Sequence, residues 1–281
     1  MSIYTVTGGT GYIGSKLLEY LSQNEDNHIY AIARQTSKVK VKADNIEYVI
    51  YDETEKSLEN PIKNSDYIIH LGALYTTAND EDSLKALINS NILFSTLIFN
   101  VANRVNKNAV IAAASTFSSL NGRGELSPAT LYAATKSSVE TIAHFYKDLS
   151  IHFLTLPDTY GPGDWRPKVH NLLVKNEKWP FKFRGNPEQQ IMLLHVDDVI
   201  GHLLASLENK DKGVHIHDIY SRGSLLTLKE LSEQLTDNEC VFNDDADIID
   251  IPLLPRKESK LTGYVERYSR NCIGKVLKGE M

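Results

Sequence analysis

Apolar and polar positions change period along the chain. Ile3–Val6 is a short apolar run, and from Ile13 to Leu21 the apolar residues Ile13, Leu17, Leu18 and Leu21 fall at helical spacing. His28–Ala33 (HIYAIA), Ile46–Tyr51 (IEYVIY) and Tyr67–Leu71 read as three further strands, Ser83–Arg104 as a long helix and Ala109–Ala114 as a fifth strand. Tyr132–Leu149 is again helical, and His152–Leu156 is a sixth strand. Strands that alternate with helices predict parallel βαβ units. Near-continuous apolar strands fit a sheet covered on both faces. After Tyr160 the pattern loosens: Pro162, Pro167, Pro180 and Pro187 mark loops, with helices expected at Val196–Leu207 and Thr227–Leu235.

One loop gives this α/β pattern a ligand. Thr7-Gly8-Gly9-Thr10-Gly11-Tyr12-Ile13-Gly14 follows a strand and opens a helix. Gly8 permits the tight turn, Gly11 admits a pyrophosphate to the backbone, and Gly14 lets helix and strand pack closely. The helix start adds free N–H groups and a partial positive charge. The expectation is a Rossmann-like doubly wound parallel sheet in residues 1–160, with a return element near 190–210. Residues 161–281 are then mainly a smaller substrate-binding portion. At the end of the second strand, Ala33-Arg34-Gln35-Thr36-Ser37-Lys38 carries no carboxylate. Arg34 and Lys38 can pair with a 2′-phosphate, which favours NADP(H) over NAD(H). Asp52, followed by Glu53 after the third strand, can accept from an adenine amino group, or be a plain loop acid.

Composition narrows the partners. With 30 Lys and Arg against 36 Asp and Glu, the formal charge is −6, which offers no electrostatic reason to bind nucleic acid or an anionic membrane. No run of uninterrupted apolar residues approaches a bilayer span, and the N-terminal stretch is unlike a signal peptide, so a cytoplasmic protein is expected. Two distant cysteines, Cys240 and Cys272, argue against a disulfide framework, and no metal site is expected.

Tyr132 and Lys136 stand four residues apart, on one face of the helix leading into strand six. An ammonium beside a phenol, together with an oxidised nicotinamide, favours the phenolate and suits it to exchange a proton with a carbonyl or alcohol. Ser115 and Thr116 sit just past strand five, at the carboxyl end where a parallel sheet opens its ligand crevice.

TGGTGYIG, YAATK and HVDDV together resemble the extended short-chain dehydrogenase/reductase family, in its nucleotide-sugar epimerase/dehydratase group, over essentially the whole chain. The resemblance implies that Tyr132 is the proton donor or acceptor, and that Lys136 lowers its pKa and holds the ribose. A hydroxyl from Thr116, or else Ser115, would bind the substrate oxygen. Asp66–Ala73 is similar to the strand-four motif, whose Leu71, Gly72 and Ala73 would lie along the cofactor, and Asn91 matches a structural asparagine. Pro157 and Asp158–Pro162 would lie near nicotinamide and substrate. His195, in the late His-Val-Asp motif, reads as structural.

Three departures matter. Phe117 and Ser118 replace the Asp-Glu pair of the 4,6-dehydratases, which disfavours dehydration. Leu156-Pro157-Asp158 lacks the usual arginine, and Ile191 stands where another is often found. Arg166, Lys168 or Arg184 would then meet the diphosphate. The run Tyr160–Lys168 (YGPGDWRPK) resembles the CDP-abequose and CDP-paratose synthases. It implies an NADPH-dependent reductase of a nucleoside-diphosphate 4-keto-6-deoxy sugar, serving deoxysugar and lipopolysaccharide biosynthesis. An NAD(P)-dependent nucleotide-sugar epimerase is the alternative, and a non-catalytic dinucleotide sensor a third. The family commonly pairs as homodimers through two helices, one carrying Tyr132.

Overall fold

The computed structural model describes every residue except Asn79, 220–224 and Leu253. Its main sheet has seven parallel strands in the order β10-β6-β5-β4-β1-β2-β3. These are β1 (Ile3–Thr7), β2 (His28–Arg34), β3 (Ile46–Tyr51), β4 (Tyr67–His70), β5 (Val110–Thr116), β6 (Ser150–Leu156) and β10 (Gly213–Asp218). The order reverses between β1 and β4, and at such a switch point the carboxyl ends of the strands part into a crevice.

Helices cover both faces. α1 (Tyr12–Ser22) and α7 (Val196–Ser206) seal one face around Leu17, Leu18, Val199 and Leu203. α2 (Lys56–Asn64), α4 (Phe94–Val105) and α5 (Leu131–Ala143) seal the other around Ile62, Ile98, Phe99 and Val139. The helix expected over Ser83–Arg104 is α3 (Glu81–Leu87) running through a π turn at Ile88–Leu93 into α4. By length and composition its 25 residues could cross a membrane, but Ile98, Phe99, Val101 and Ala102 are buried against the sheet.

α5 ends at Ala143 and β6 begins at Ser150, so the helix stops six residues before the expected Leu149. α2 has no counterpart in the expected elements, because charges and Pro61 obscure its buried stripe of Leu58, Pro61 and Ile62. The strand β10 was hidden too. Its alternate positions are His215 and His217, which count as polar but are buried here, stacked in the sheet with His152 of β6.

The remaining elements form a smaller unit. β7 (Asp158–Tyr160) pairs with β9 (Gln190–His195), which pairs with β11 (Leu225–Thr227), and β8 (Phe181–Lys182) pairs with β12 (Cys240–Val241). α6 (Val169–Val174), α8 (Leu228–Leu235) and α9 (Ile273–Lys278) close a third core with Tyr160, Phe183 and Leu231.

Candidate active site

The glycine loop joins β1 to α1 as its residue types require. Gly8 has φ +74°, and a Cβ there would lie 2.7 Å from the Gly72 nitrogen. A Cβ on Gly14 would lie 2.1 Å from the Gly8 oxygen, so the helix can dock only as glycine. Gly11 starts α1 without a side-chain cap, which leaves the first-turn N–H groups of Tyr12 and Ile13 without a side-chain acceptor. This is a cradle of the right chemistry for a pyrophosphate.

Strand β4 delivers the opposite wall. Thr7 Oγ1 accepts from the Gly72 N–H at 3.1 Å and meets His70 Nδ1 at 2.7 Å, and His70 Nε2 meets Ser95 Oγ at 2.8 Å. Burial, then the charge of Lys136, pushes the His70 pKa down to about 3, so it stays neutral. The fully buried Asn91 sits in the π turn, where local unwinding turns its amide inward. It accepts from the Leu74 N–H at 2.7 Å and donates to the Leu74 carbonyl and to Thr135 Oγ1, both at 3.0 Å. One amide thus ties the segment after β4, with Leu71, Gly72 and Ala73, to the helix bearing Tyr132.

Tyr132 opens α5, whose N-cap Thr130 accepts from the Ala133 N–H at 3.1 Å. Its ring meets Tyr75 edge-on with centroids 5.0 Å apart. Burial, then Tyr75, then Asp158, pushes the phenol up to about 12. The chain alone therefore does not activate Tyr132. Lys136 is buried, and desolvation lowers its amine to about 8, opposed by Glu140 on the next turn. A charge this poorly solvated gains from any polar group brought against it.

The two hydroxyls after β5 are sorted by direction. Ser115 Oγ is buried and donates to Glu140 Oε1 at 2.5 Å. Thr116 is half-buried and caps the short 3₁₀ turn Phe117–Ser119. Phe117 is buried and Ser118 exposed, so no carboxylate follows Thr116.

The other candidate residues divide. Lys168 Nζ donates to Asp158 at 2.6 Å and lies 5.7 Å from the centre of the Tyr75 ring, so Asp158, Lys168, Tyr75 and Tyr132 form one cluster. Arg166 turns elsewhere: it donates to both Asp164 oxygens at 2.8 Å and to Thr159, and its guanidinium lies 4.5 Å from the centre of the Tyr12 ring. Burial alone would raise the Asp164 carboxyl, but hydrogen bonds, those of Arg166 foremost, hold it well below the ordinary carboxylate range. Arg184 is exposed in the loop after β8, with no ion pair tying it to the cluster. Pro157 is buried between β6 and β7.

Arg34 ends β2 and is exposed, as is Lys38. Asp52 Oδ1 accepts from the Thr54 N–H and hydroxyl at 3.0 and 2.6 Å, and Glu53 adopts φ 68°. His195 is buried, caps α7 and stacks on Tyr268 with centroids 3.7 Å apart, a structural placement.

Tyr75 escaped the sequence reading because a lone aromatic in a coil has no period. Trp165 did too: its ring meets Tyr12 edge-on and carries Lys40 2.9 Å above its centre.

The model of the NAD dependent epimerase/dehydratase family matches residues 4–221. The chain belongs to that family. Uncharacterized protein MJ1055 of Methanocaldococcus jannaschii is 26% identical, over 92% of this chain and 90% of that protein. Among solved structures, dTDP-glucose 4,6-dehydratase of Bacillus anthracis in complex with NAD is similar at TM-score 0.82. It is 20% identical, with 99% of this chain and 96% of that one covered. UDP-glucuronic acid 4-epimerase of Bacillus cereus, in complex with UDP-glucuronic acid and NAD, is similar at TM-score 0.80 and is also 20% identical, with 99% and 97% covered.

Proposed function

We propose that this chain is an NAD(P)-dependent nucleotide-sugar epimerase, working by removal and return of hydride at one sugar carbon. The observation that carries the reading is the placement of Tyr132 and Lys136 at the carboxyl end of the sheet, with no acid after Thr116 to support elimination. Similarity to a UDP-sugar 4-epimerase supports it. The bound nicotinamide supplies the hydride acceptor and donor. Tyr132 takes the substrate hydroxyl proton as hydride leaves and gives it back after the ketone has turned its other face. Thr116 donates to that oxygen as charge develops. Lys136 holds the ribose and, with the cationic nicotinamide nearby, brings the phenol down from its unliganded value. Lys168 and Asp158 flank the sugar.

A second reading, reduction of a nucleoside-diphosphate 4-keto-6-deoxy sugar, is favoured by Arg34 and Lys38. Both are exposed at the end of β2 and suit the 2′-phosphate of NADPH.

The experiment that tests both is a panel of UDP-, CDP-, dTDP- and GDP-linked sugars and 4-keto sugars. Epimerisation with a cofactor that copurifies and is not consumed supports the first reading; stoichiometric loss of NADPH with a 4-keto sugar replaces it with the second. In either case Tyr132→Phe is expected to lower turnover about 10²–10⁴-fold. A variant keeping most of the rate removes Tyr132 from its role.

We also propose a homodimer through α3–α4 and α5. Leu84, Ile88 and Leu93 on the first and Leu131 on the second expose apolar side chains, as does Phe145, 80% exposed just beyond α5.

A further inference from the structure

Arg256 lies in a coil segment of the carboxyl-terminal portion, yet its side chain and backbone N–H bond only to the main sheet and to the helix that bears Tyr132. Its Nη2 donates to Asp218 Oδ1 at 2.7 Å and to Thr155 Oγ1 at 2.6 Å, its Nη1 to Glu140 Oε2 at 2.6 Å, and its backbone N–H to Asp218 Oδ2 at 2.7 Å. Asp218 ends β10, Thr155 lies near the end of β6, and Glu140 stands one turn beyond Lys136 on α5. Glu140 spends its other oxygen on the Ser115 hydroxyl at the end of β5. The side chains of Arg256, Glu140 and Asp218 are 12%, 11% and 1% exposed. A buried ionic cluster of this kind is a weak source of stability compared with apolar packing, but it holds its members in one geometry. The same coil lies against the turn after β5, where a Cβ on Gly124 would be 2.8 Å from the Leu254 oxygen.

We propose that Arg256 is a positioning residue for the reaction at Tyr132. By fixing Glu140 it commits Ser115 away from the substrate, leaving Thr116 as the active hydroxyl, and it sets the charge that Lys136 meets. The inference rests on the reading that Lys136 holds a nicotinamide ribose. The titratable groups that act on Lys136 are Glu140 on its own helix and His70 from β4. His70 is neutral, so the Glu140–Arg256 pair supplies the local charge.

The test compares the pH dependence of NADH and NADPH binding, read by cofactor fluorescence between pH 6 and 10, in the native protein, Arg256→Met, Arg256→Lys and Glu140→Gln. Melting curves are taken alongside. Native affinity is expected to fall as pH rises through about 8, where Lys136 loses its proton. Arg256→Met leaves Glu140 unneutralised, so its break moves up. Glu140→Gln removes the opposing charge, so its break moves down, and Arg256→Lys restores most of the native profile. With a turned-over sugar, kcat of Arg256→Met falls at least fivefold while KM stays within twofold. A merely structural arginine lowers the melting temperature and leaves the break in place.

A break that does not move in folded Arg256→Met and Glu140→Gln overturns the proposal, and so does a native profile without a break. If Arg256→Met does not fold, Glu140→Gln decides. If no nucleotide sugar is turned over, the functional reading fails, while the binding profiles still decide the role of Arg256.

Discussion

The chain up to Leu156 and the chain beyond Asp158 are held together by different forces. The first part stacks six parallel strands between helices, and two clusters of Val, Ile, Leu and Phe carry it. The second part lends β10 and α7 to those clusters, and its own unit has strands of two to six residues and one modest apolar cluster. Ties of charge and hydrogen bonding supplement it. Asp198, fully buried at the start of α7, accepts from Tyr264 Oη and the Arg267 N–H at 3.0 Å and from the Tyr268 N–H at 3.1 Å. Asp164 with Arg166, and Asp218 with Arg256, do the same elsewhere. Apolar burial is non-directional and follows the period of the element, so it tolerates change if volume is kept. Pairwise polar ties tolerate little, because each loss strands a partner.

The first part is most sensitive where backbone packs on backbone in the glycine loop. Gly14→Ala places a methyl against the Gly8 carbonyl, a rigid neighbour, and is expected to cost at least about 3 kcal/mol and to abolish cofactor binding. Thermal melting with a cofactor titration checks it, and near-native binding would show that the loop can yield. In the second part, Asp198→Ala strands three donors and is expected to cost about 3 kcal/mol. The damage should be local: limited proteolysis should cut first within 262–281, with cofactor binding retained. Simultaneous loss of both would mean the two parts unfold as one.

Acid sharpens the contrast at their seam. Burial, then His215 and His217, pushes His152 down to about 4, and burial lowers His217 as well. These imidazoles are neutral in the fold but protonate near 6.5 when unfolded. The unfolded chain then binds more protons, so stability is full above that value and falls as pH drops through the window from 6.5 to 4. For His152 alone the loss at pH 5 is about 2 kcal/mol. Melting temperatures between pH 7.5 and 5 check this, and a flat profile would contradict neutral buried histidines. The smallest effect is expected from Phe145→Glu. Monomer stability should change by less than about 0.5 kcal/mol, because the side chain is exposed. Sedimentation should show the proposed dimer dissociating, and an unchanged dimer would move the interface elsewhere.

Legibility followed the same division. The strands β1 to β6 and the helices α1 and α7 can be read from period alone, as can the glycine loop from residue type. The pair Tyr132 and Lys136 is visible from helical spacing. Strand β10 was invisible because two histidines occupy its inward positions, and their burial is made tolerable by carbonyl partners at Asp211 for His215 and Lys260 for His217. Tyr75, Glu140 and Arg256 carry no local signature. A separation of 116 positions between Glu140 and Arg256 in the chain collapses to 2.6 Å in space.

By itself the sequence determined a doubly wound α/β sheet, a glycine-rich loop between β1 and α1 and a tyrosine–lysine helix, because periodicity and the absence of a Cβ are properties of neighbours in the chain. Only the tertiary structure decided that Ser115 turns to Glu140 while Thr116 does not, that Lys168 and Asp158 join Tyr132 while Arg166 leaves it, and that a distant arginine closes the sheet's carboxyl end. Those choices are made by partners that meet across the fold, where the distance between charges, rather than their separation in sequence, sets the energy.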